Sequence, residues 1–272
     1  MKKSKNALLG IIGIIVSIVW LFPFYIMLIN SFKSKKELFI STTALPHALN
    51  FKNYAKAIKA LSIETTFFNS AIITVCSIVV ILIFSALAAY ALQRTKTLAS
   101  KIIFYVFVAA MLIPFQSVMI PLVSFMSKIH LMQSRFGIII MYLGFGSSMA
   151  MFLIHGALGS IPTALDEAAK IDGCNPLQTF FIIILPMLKP ILVTVAVLDA
   201  IWIWNDYLLP SLVINRDDLL TIPLKMYYFF GEYTKQWHLA LAGLTIAIIP
   251  VIIFYFLAQK QIIQGITDGA VK

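Results

Sequence analysis

The chain has 272 residues, of which 61% are hydrophobic and 12% charged, with a mean hydropathy of +0.95 and a formal net charge of +10. A soluble domain carries roughly 25% charged residues. Half that cannot cover a water-facing surface, and disorder needs low hydrophobicity, so the composition excludes both and leaves a helical integral membrane protein.

The Lys and Arg residues lie between apolar runs, where they anchor at lipid headgroups. A basic stripe with interleaved aromatics is absent, so no nucleic-acid partner is expected. Lys2, Lys3 and Lys5 precede the first run, Ala7 to Ile29. It exceeds the roughly 7–15 residues of a signal-peptide core, no small-residue cleavage site ends it, and it reads as a membrane anchor over 7–31. A long loop from Lys33 to Phe68 follows. The second run, Asn69 to Leu92 (span 69–93), contains Ser85, Ala86, Ala88 and Ala89, small enough for close helix packing. The third, Ile102 to Ser127 (span 102–127), is interrupted by Pro114 and Pro121, which predict kinks. The fourth is Phe136 to Ile154 (span 136–157) and the last is Leu239 to Ala258 (span 239–260).

Between these two, Phe180 to Val213 (span 180–213) is mostly apolar but contains Lys189, Asp199, Asp206, Pro186, Pro190 and Pro210. A fully helical segment of that length would reach about 51 Å at ~1.5 Å per residue. The hydrocarbon core is only ~30 Å thick, so its first turns are expected outside the core or along the interface. The total is six transmembrane helices. Strands of a barrel are excluded because they alternate polar and apolar residues. Six spans put both termini on one side. The raw Lys and Arg count does not choose the side, but the dense cluster Arg94, Lys96 and Lys101 favours the inside, so the N-terminus and C-terminus are expected to be cytoplasmic. The chain then divides into 1–68 (first helix and extracellular loop), 69–263 (transmembrane core) and 264–272 (cytoplasmic tail).

Machinery for covalent chemistry is missing. There is no G-x-x-x-x-G-K-[ST] phosphate loop, no G-x-S-x-G elbow and no H-E-x-x-H pair. His47, His130, His155 and His238 are scattered. Cys76 and Cys174 have neither metal-ligand spacing nor a disulfide pattern. The chain is therefore not expected to be an enzyme or to bind a metal or cofactor.

One polar segment stands out, Ser160-Ile-Pro-Thr-Ala-Leu-Asp-Glu-Ala-Ala-Lys-Ile-Asp-Gly-Cys-Asn-Pro176. Pro162 suits a helix start, Thr163 with Asp166 resembles a capping box, and Asp166 with Lys170 forms an i, i+4 pair. Gly173 and Pro176 end the helix. A short helix over 162–174 thus lies between two spans, with Leu165, Ala168 and Ala169 as a small apolar face suited to a protein groove.

Glu167-Ala168-Ala169, then Gly173, then Ile183-x-Leu185-Pro186 resembles the EAA loop of ABC-importer permeases, with every fixed position at its spacing. Tyr90-Ala-Leu, Ile113-Pro114 with Ile120-Pro121, Ile161-Pro162, Asp172-Gly173, Trp204-Asn205-Asp206 and Gly265-Ile-Thr-Asp-Gly-Ala-Val271 are similar to the carbohydrate-uptake branch, in particular the second permease of maltose-transporter type. Cys174 departs from the family, which usually has Ala there. The resemblance implies a type I ABC-importer permease fold in the bacterial cell membrane. It implies a second homologous permease, two cytoplasmic ATPase subunits that hold ATP and Mg, and an extracellular solute-binding protein. Glu167, Ala168, Ala169, Asp172 and Gly173 would form the ATPase-coupling helix, with Glu167 facing a basic group. The tail from Gln261 to Lys272 would lie near the ATPases, and the loop Asn215 to Trp237, with Arg216, Asp217, Asp218, Tyr227, Tyr228 and Tyr233, would face the binding protein.

Acids inside a membrane are costly and face a cavity or a partner. Asp199 and Asp206, seven apart, would share a helix face, with Trp202, Trp204 and Asn205 nearby. These five are candidates for substrate contact or for permease–permease contact. The alternative function is a cation-coupled secondary transporter using Asp199 and Asp206.

Overall fold

The computed structural model describes residues 2–230 and 236–270, and the regular structure among them is helical throughout. The chain forms two compact units. The first comprises Met1–Ile63 and Lys225–Pro250. Helix α1 (Lys2–Ser31) exposes a nearly unbroken apolar surface from Leu9 to Leu28, as a helix facing lipid must. The segment after it is built rather than loose. Ser34 caps α2 (Lys35–Ile40) through a capping box with Glu37. The fully buried Lys33 donates from Nζ to the Ser41 carbonyl at 2.9 Å. Asn53, on α3 (Lys52–Leu61), donates to the carbonyls of Ser31 and Lys33 at 2.8 Å each. The expected long loop thus contains two helices stitched back to the end of α1.

The second unit comprises Glu64–Leu224 and Val251–Lys272. It contains α4 (Ile63–Arg94), α5 (Leu98–Ala110), α6 (Phe115–Lys128), α7 (Arg135–Leu158) and α8 (Ala164–Ile171). A helical stretch follows, α9 (Pro176–Gln178), a π turn (Thr179–Ile184) and α10 (Leu185–Met187), then α11 (Lys189–Asn205) and α12 (Leu208–Val213). The chain continues through α13 (Ile222–Met226) to α14 (Trp237–Ala270). Side-chain caps start three of these helices: Thr97 for α5, Ser134 for α7 and Asn175 for α9. Ile81, Ile138, Tyr142, Ile154, Phe180 and Ile184 lie in the core. Gly146 lets α7 press on α4, since a Cβ there would meet Ile81 Cδ1 at 2.5 Å.

Among the described residues, four helical segments are long and apolar enough to cross a membrane: Leu9–Ser31, Ile63–Arg94, Arg135–Leu158 and Trp237–Leu257. Two bent pairs bring the number to six if each is one span. Leu98–Ala110 and Phe115–Lys128 meet at 104°. The break falls just before Pro114, which is extended at φ −65° and ψ 139°, whereas Pro121 lies inside α6. Pro176–Met187 and Lys189–Asn205 meet at 76°, at Leu188 between Pro186 and Pro190. That bend ends the straight 34-residue helix the sequence would otherwise need and turns the first part aside. Cys76 and Cys174 are free thiols.

At the amino end of α4, the buried Asn69 accepts from Arg135 Nε at 3.0 Å and from Nη2 at 2.7 Å. Its own amide donates to the carbonyls of Asp218 at 2.9 Å and Leu220 at 3.0 Å. Ser70 Oγ accepts from Ile222 N–H at 2.9 Å. Asn69 thereby ties the start of α7 and the 218–220 segment to the same helix end.

Candidate functional site

The other end of α4, about 38 Å from Asn69 at ~1.5 Å per residue, carries Arg94 as its last residue. Arg94 Nη2 lies 2.9 Å from Asp166 Oδ2 on α8, and Nη1 donates to the Ile161 carbonyl at 3.2 Å. One turn earlier, Tyr90 donates from its hydroxyl to Asp166 Oδ1 at 2.6 Å. The Tyr90 ring packs at 5.3 Å on Phe180 in the π turn, and the Arg94 guanidinium lies 5.9 Å from the same ring. Asp166 is thus fixed by two donors from α4, and α8 rests on the π turn beyond.

This arrangement corrects the expected start of the helix. Thr163 is already in the right-handed helical region, at φ −65° and ψ −21°, and its side chain caps nothing. Asp166 turns to Arg94 and Tyr90 instead of back to Thr163 or on to Lys170, because two donors from a partly buried helix end outcompete an exposed one. The expected stop is present. Gly173 has φ +85° and its N–H donates to the Lys170 carbonyl at 3.2 Å, while Cys174 N–H donates to Ala169 at 2.9 Å. These two bonds form a Schellman motif, which asks for a glycine at that position.

Successive helical residues point about 100° apart, so Asp166 facing inward sends its neighbours outward. Glu167, Ala168, Asp172 and Gly173 are exposed, and Ile171 is 86% exposed. Ala169 is buried in this chain and Leu165 packs on its core. The small apolar face therefore divides: Leu165 and Ala169 hold the helix to its own chain, and Ala168 with Ile171 remains outside.

The structure separates the five candidates on the fifth span. Asp199 is fully buried in α11, with neither carboxylate oxygen hydrogen-bonded. Trp204 packs edge-on against Phe67 at 5.7 Å, and Asn205 is exposed and donates back to the Ile201 carbonyl at 2.7 Å. Asp206 does not share a helix face with Asp199, because α11 ends at Asn205 and Asp206 is extended. Trp202 and Asp206 come together. They line a cavity of about 170 Å³ with Phe115, Gln116, Phe145 and Leu209. Asp206 Oδ2 accepts from the Tyr142 hydroxyl and Oδ1 from Leu208 N–H, both at 2.9 Å. Tyr142 also meets the Trp202 ring edge-on at 5.4 Å.

Sequence reading did not single out Arg94 and Asp166 as a pair, nor Gln116, Tyr142, Asn69 and Arg135. The available signals were an arginine directly after a span and polar side chains within or beside apolar runs. Tyr233 and the end of the tail, Val271 and Lys272, lie outside the described residues; the backbone of the tail is helical to Ala270.

The model of the family "binding-protein-dependent transport system inner membrane component" matches residues 81–268. A "probable starch degradation products transport system permease protein" of Thermoanaerobacterium thermosulfurigenes is 57% identical over 268 residues, which cover 98% of this chain and 97% of that one. A "multiple sugar-binding transport system permease protein" of Streptococcus mutans is 37% identical, covering 98% and 96%. A "melibiose/raffinose/stachyose import permease protein" of Bacillus subtilis is 33% identical, covering 100% and 98%. In fold, the chain is similar to one chain of a bacterial ABC transporter for alginate import, with a TM-score of 0.80, 24% identity and coverage of 94% and 97%.

Proposed function

This chain belongs to the family of inner membrane components of binding-protein-dependent transport systems, and from that premise we propose that it is the permease subunit of an ATP-driven carbohydrate importer, coupled through α8. As a multi-pass protein of the bacterial plasma membrane, it forms half of the pathway, and a second homologous permease supplies the other half. Two cytoplasmic ATPase subunits bind ATP and Mg, and an extracellular binding protein delivers an oligosaccharide. Both termini and α8 face the cytoplasm. The substrate class rests on the sugars named for the relatives in Thermoanaerobacterium, Streptococcus and Bacillus.

The observation that carries the coupling role is the division of α8. Its inner side is held by Arg94, Tyr90 and the π turn, and its outer side presents Glu167, Ala168 and Ile171. A helix rooted this way transmits displacement to α4 instead of sliding over it. Glu167 offers an acceptor to a basic group on the ATPase. Ala168 permits close approach, and Gly173 sets the turn by which the chain leaves. Closure of the ATPases on ATP would shift α8, and the spans would turn from inward-facing to outward-facing.

Reconstitution tests this function. Proteoliposomes holding this chain, the second permease and the ATPase are expected to take up labelled oligosaccharide only with ATP and a loaded binding protein. Uptake that followed an imposed proton gradient, with ATP irrelevant, would overturn it.

A further inference from the structure

Three cavities merit comparison. One lies after α1 and is lined by Lys33, Lys36, Glu37 and His47, with no Phe, Tyr or Trp side chain. A second, between Leu82 and Leu185–Ala196, is apolar except for Lys189. The third, described above, combines the rings of Phe115, Phe145 and Trp202 with the polar groups of Gln116 and Asp206. We propose that this third cavity is a sugar subsite on this chain that holds one ring of the transported oligosaccharide. The proposal rests on the carbohydrate reading above and deepens it.

The chemistry of the lining selects a carbohydrate. A sugar ring has C–H faces that pack on aromatic surfaces and hydroxyls that need directed partners. Trp202 supplies an indole that is 39% exposed, and Phe115 and Phe145 meet edge-on at 5.2 Å beside it. Asp206 accepts two hydrogen bonds from its own chain, and a carboxylate has about four acceptor positions. The remaining ones are free for sugar hydroxyls. Gln116 is exposed and makes no hydrogen bond among the described residues, so it can both donate and accept. Lipid is a poor occupant, because an acid and an amide facing hydrocarbon are costly.

The site is also prepared. The Tyr142 hydroxyl and Leu208 N–H fix the Asp206 carboxylate before any ligand arrives, and the Tyr142 ring braces Trp202. A fixed carboxylate loses little freedom on binding. Tyr142 is in this sense a positioning residue. Gln116 and Phe115 stand at the first turn of α6, directly after the 104° bend, and Asp206 stands directly after α11 ends. Two interruptions of helix, each costly alone, thereby turn polar groups toward one space. At about 170 Å³ the cavity is smaller than the roughly 300–1,000 Å³ of a site for a whole drug-sized ligand. It accommodates one ring of a chain, and the rest of the oligosaccharide falls to the second permease.

The test uses the complete transporter in proteoliposomes, with the binding protein loaded with labelled oligosaccharide. Sugar taken up per ATP hydrolysed is measured for Trp202→Ala, Gln116→Ala and Trp202→Phe, together with recovery of the second permease by co-purification. Trp202→Ala and Gln116→Ala are expected to lower the ratio about tenfold, the factor set by ~1.4 kcal/mol, and Trp202→Phe to restore much of it. An unchanged ratio in both alanine variants would overturn the subsite. So would loss of the second permease from the purified complex, which would make the cavity a permease–permease contact. Failure of the wild-type transporter to take up any sugar would overturn the carbohydrate reading itself, and the wild-type arm tells the two failures apart.

Discussion

Arg94 and Asp166 approach to 2.9 Å and join the last residue of a membrane-crossing helix to a helix of eight residues that crosses nothing. Both side chains are partly buried, at 16% and 19% exposure. Their contact therefore lies between the weak exposed ion pair and the buried one whose halves cannot be separated cheaply. Reversing one charge, as in Arg94→Asp, sets two acids against each other and is expected to cost about 1–3 kcal/mol in local stability of α8. Uptake should fall with it. Adding Asp166→Arg should recover a large part, as a double-mutant cycle on uptake rate would measure. Equal loss in the single and double variants would mean that the pair does not transmit coupling.

Asn69 predicts a second dependence at the opposite end of α4. Replacing it with Ala would strip the Arg135 guanidinium of its acceptor and leave the carbonyls of Asp218 and Leu220 without a donor. Each buried polar group left unmatched costs about 1–3 kcal/mol. The purified protein in detergent should melt several degrees lower by intrinsic fluorescence.

Gly173 sits at φ +85°, where a β-branched side chain is strained. A Cβ there meets no other atom within 4 Å, so the backbone alone sets the penalty. Gly173→Val should cost more than Gly173→Asn, since Asn tolerates the left-handed region. Protease accessibility of the segment around Gly173 should rise more in Gly173→Val than in Gly173→Asn.

Glu37 carries a pH dependence outside the membrane. His47 N–H, donating to it at 2.6 Å, holds its carboxyl below the ordinary range, aided by Ser34 N–H at 3.4 Å and opposed by partial burial. A carboxyl held low in the folded state contributes stability above its unfolded pKa and loses it as pH falls through the folded value. The contact should thus be intact at neutral pH and lost only on acidification below the ordinary carboxylate range. Amide exchange at His47 should show less protection there, and Glu37→Gln should remove the pH dependence.

Much of this architecture is legible from the residues. Apolar runs give the spans because hydrocarbon tolerates little else, and Pro114, Gly173 and Pro176 mark interruptions by backbone chemistry that acts locally. The capping reading of Thr163 and Asp166 fails for a reason no local pattern contains. Two donors from α4 reach Asp166 across a separation of 76 residues in the case of Tyr90, and they win. Likewise Asp199 and Asp206 share a face only if the helix continues, and it stops at Asn205. Asp199 stays buried within the helix, and the stop delivers Asp206 to the cavity of Trp202. The grouping of Phe115, Gln116 and Phe145 depends on the sharp bend before α6, whose angle a proline announces but does not fix.

In the proposed function the outer side of α8 couples this permease to its ATPase. The most direct measurement is ATPase recovery and ATP-dependent uptake for Glu167→Lys, in a complex purified through this chain. Glu167 is exposed and its side chain makes no hydrogen bond or ion pair among the described residues, so the variant should insert and fold as the parent does. The coupling role requires that the ATPase is lost from the purified complex and that uptake ceases. Full recovery of the ATPase with undiminished uptake would contradict it.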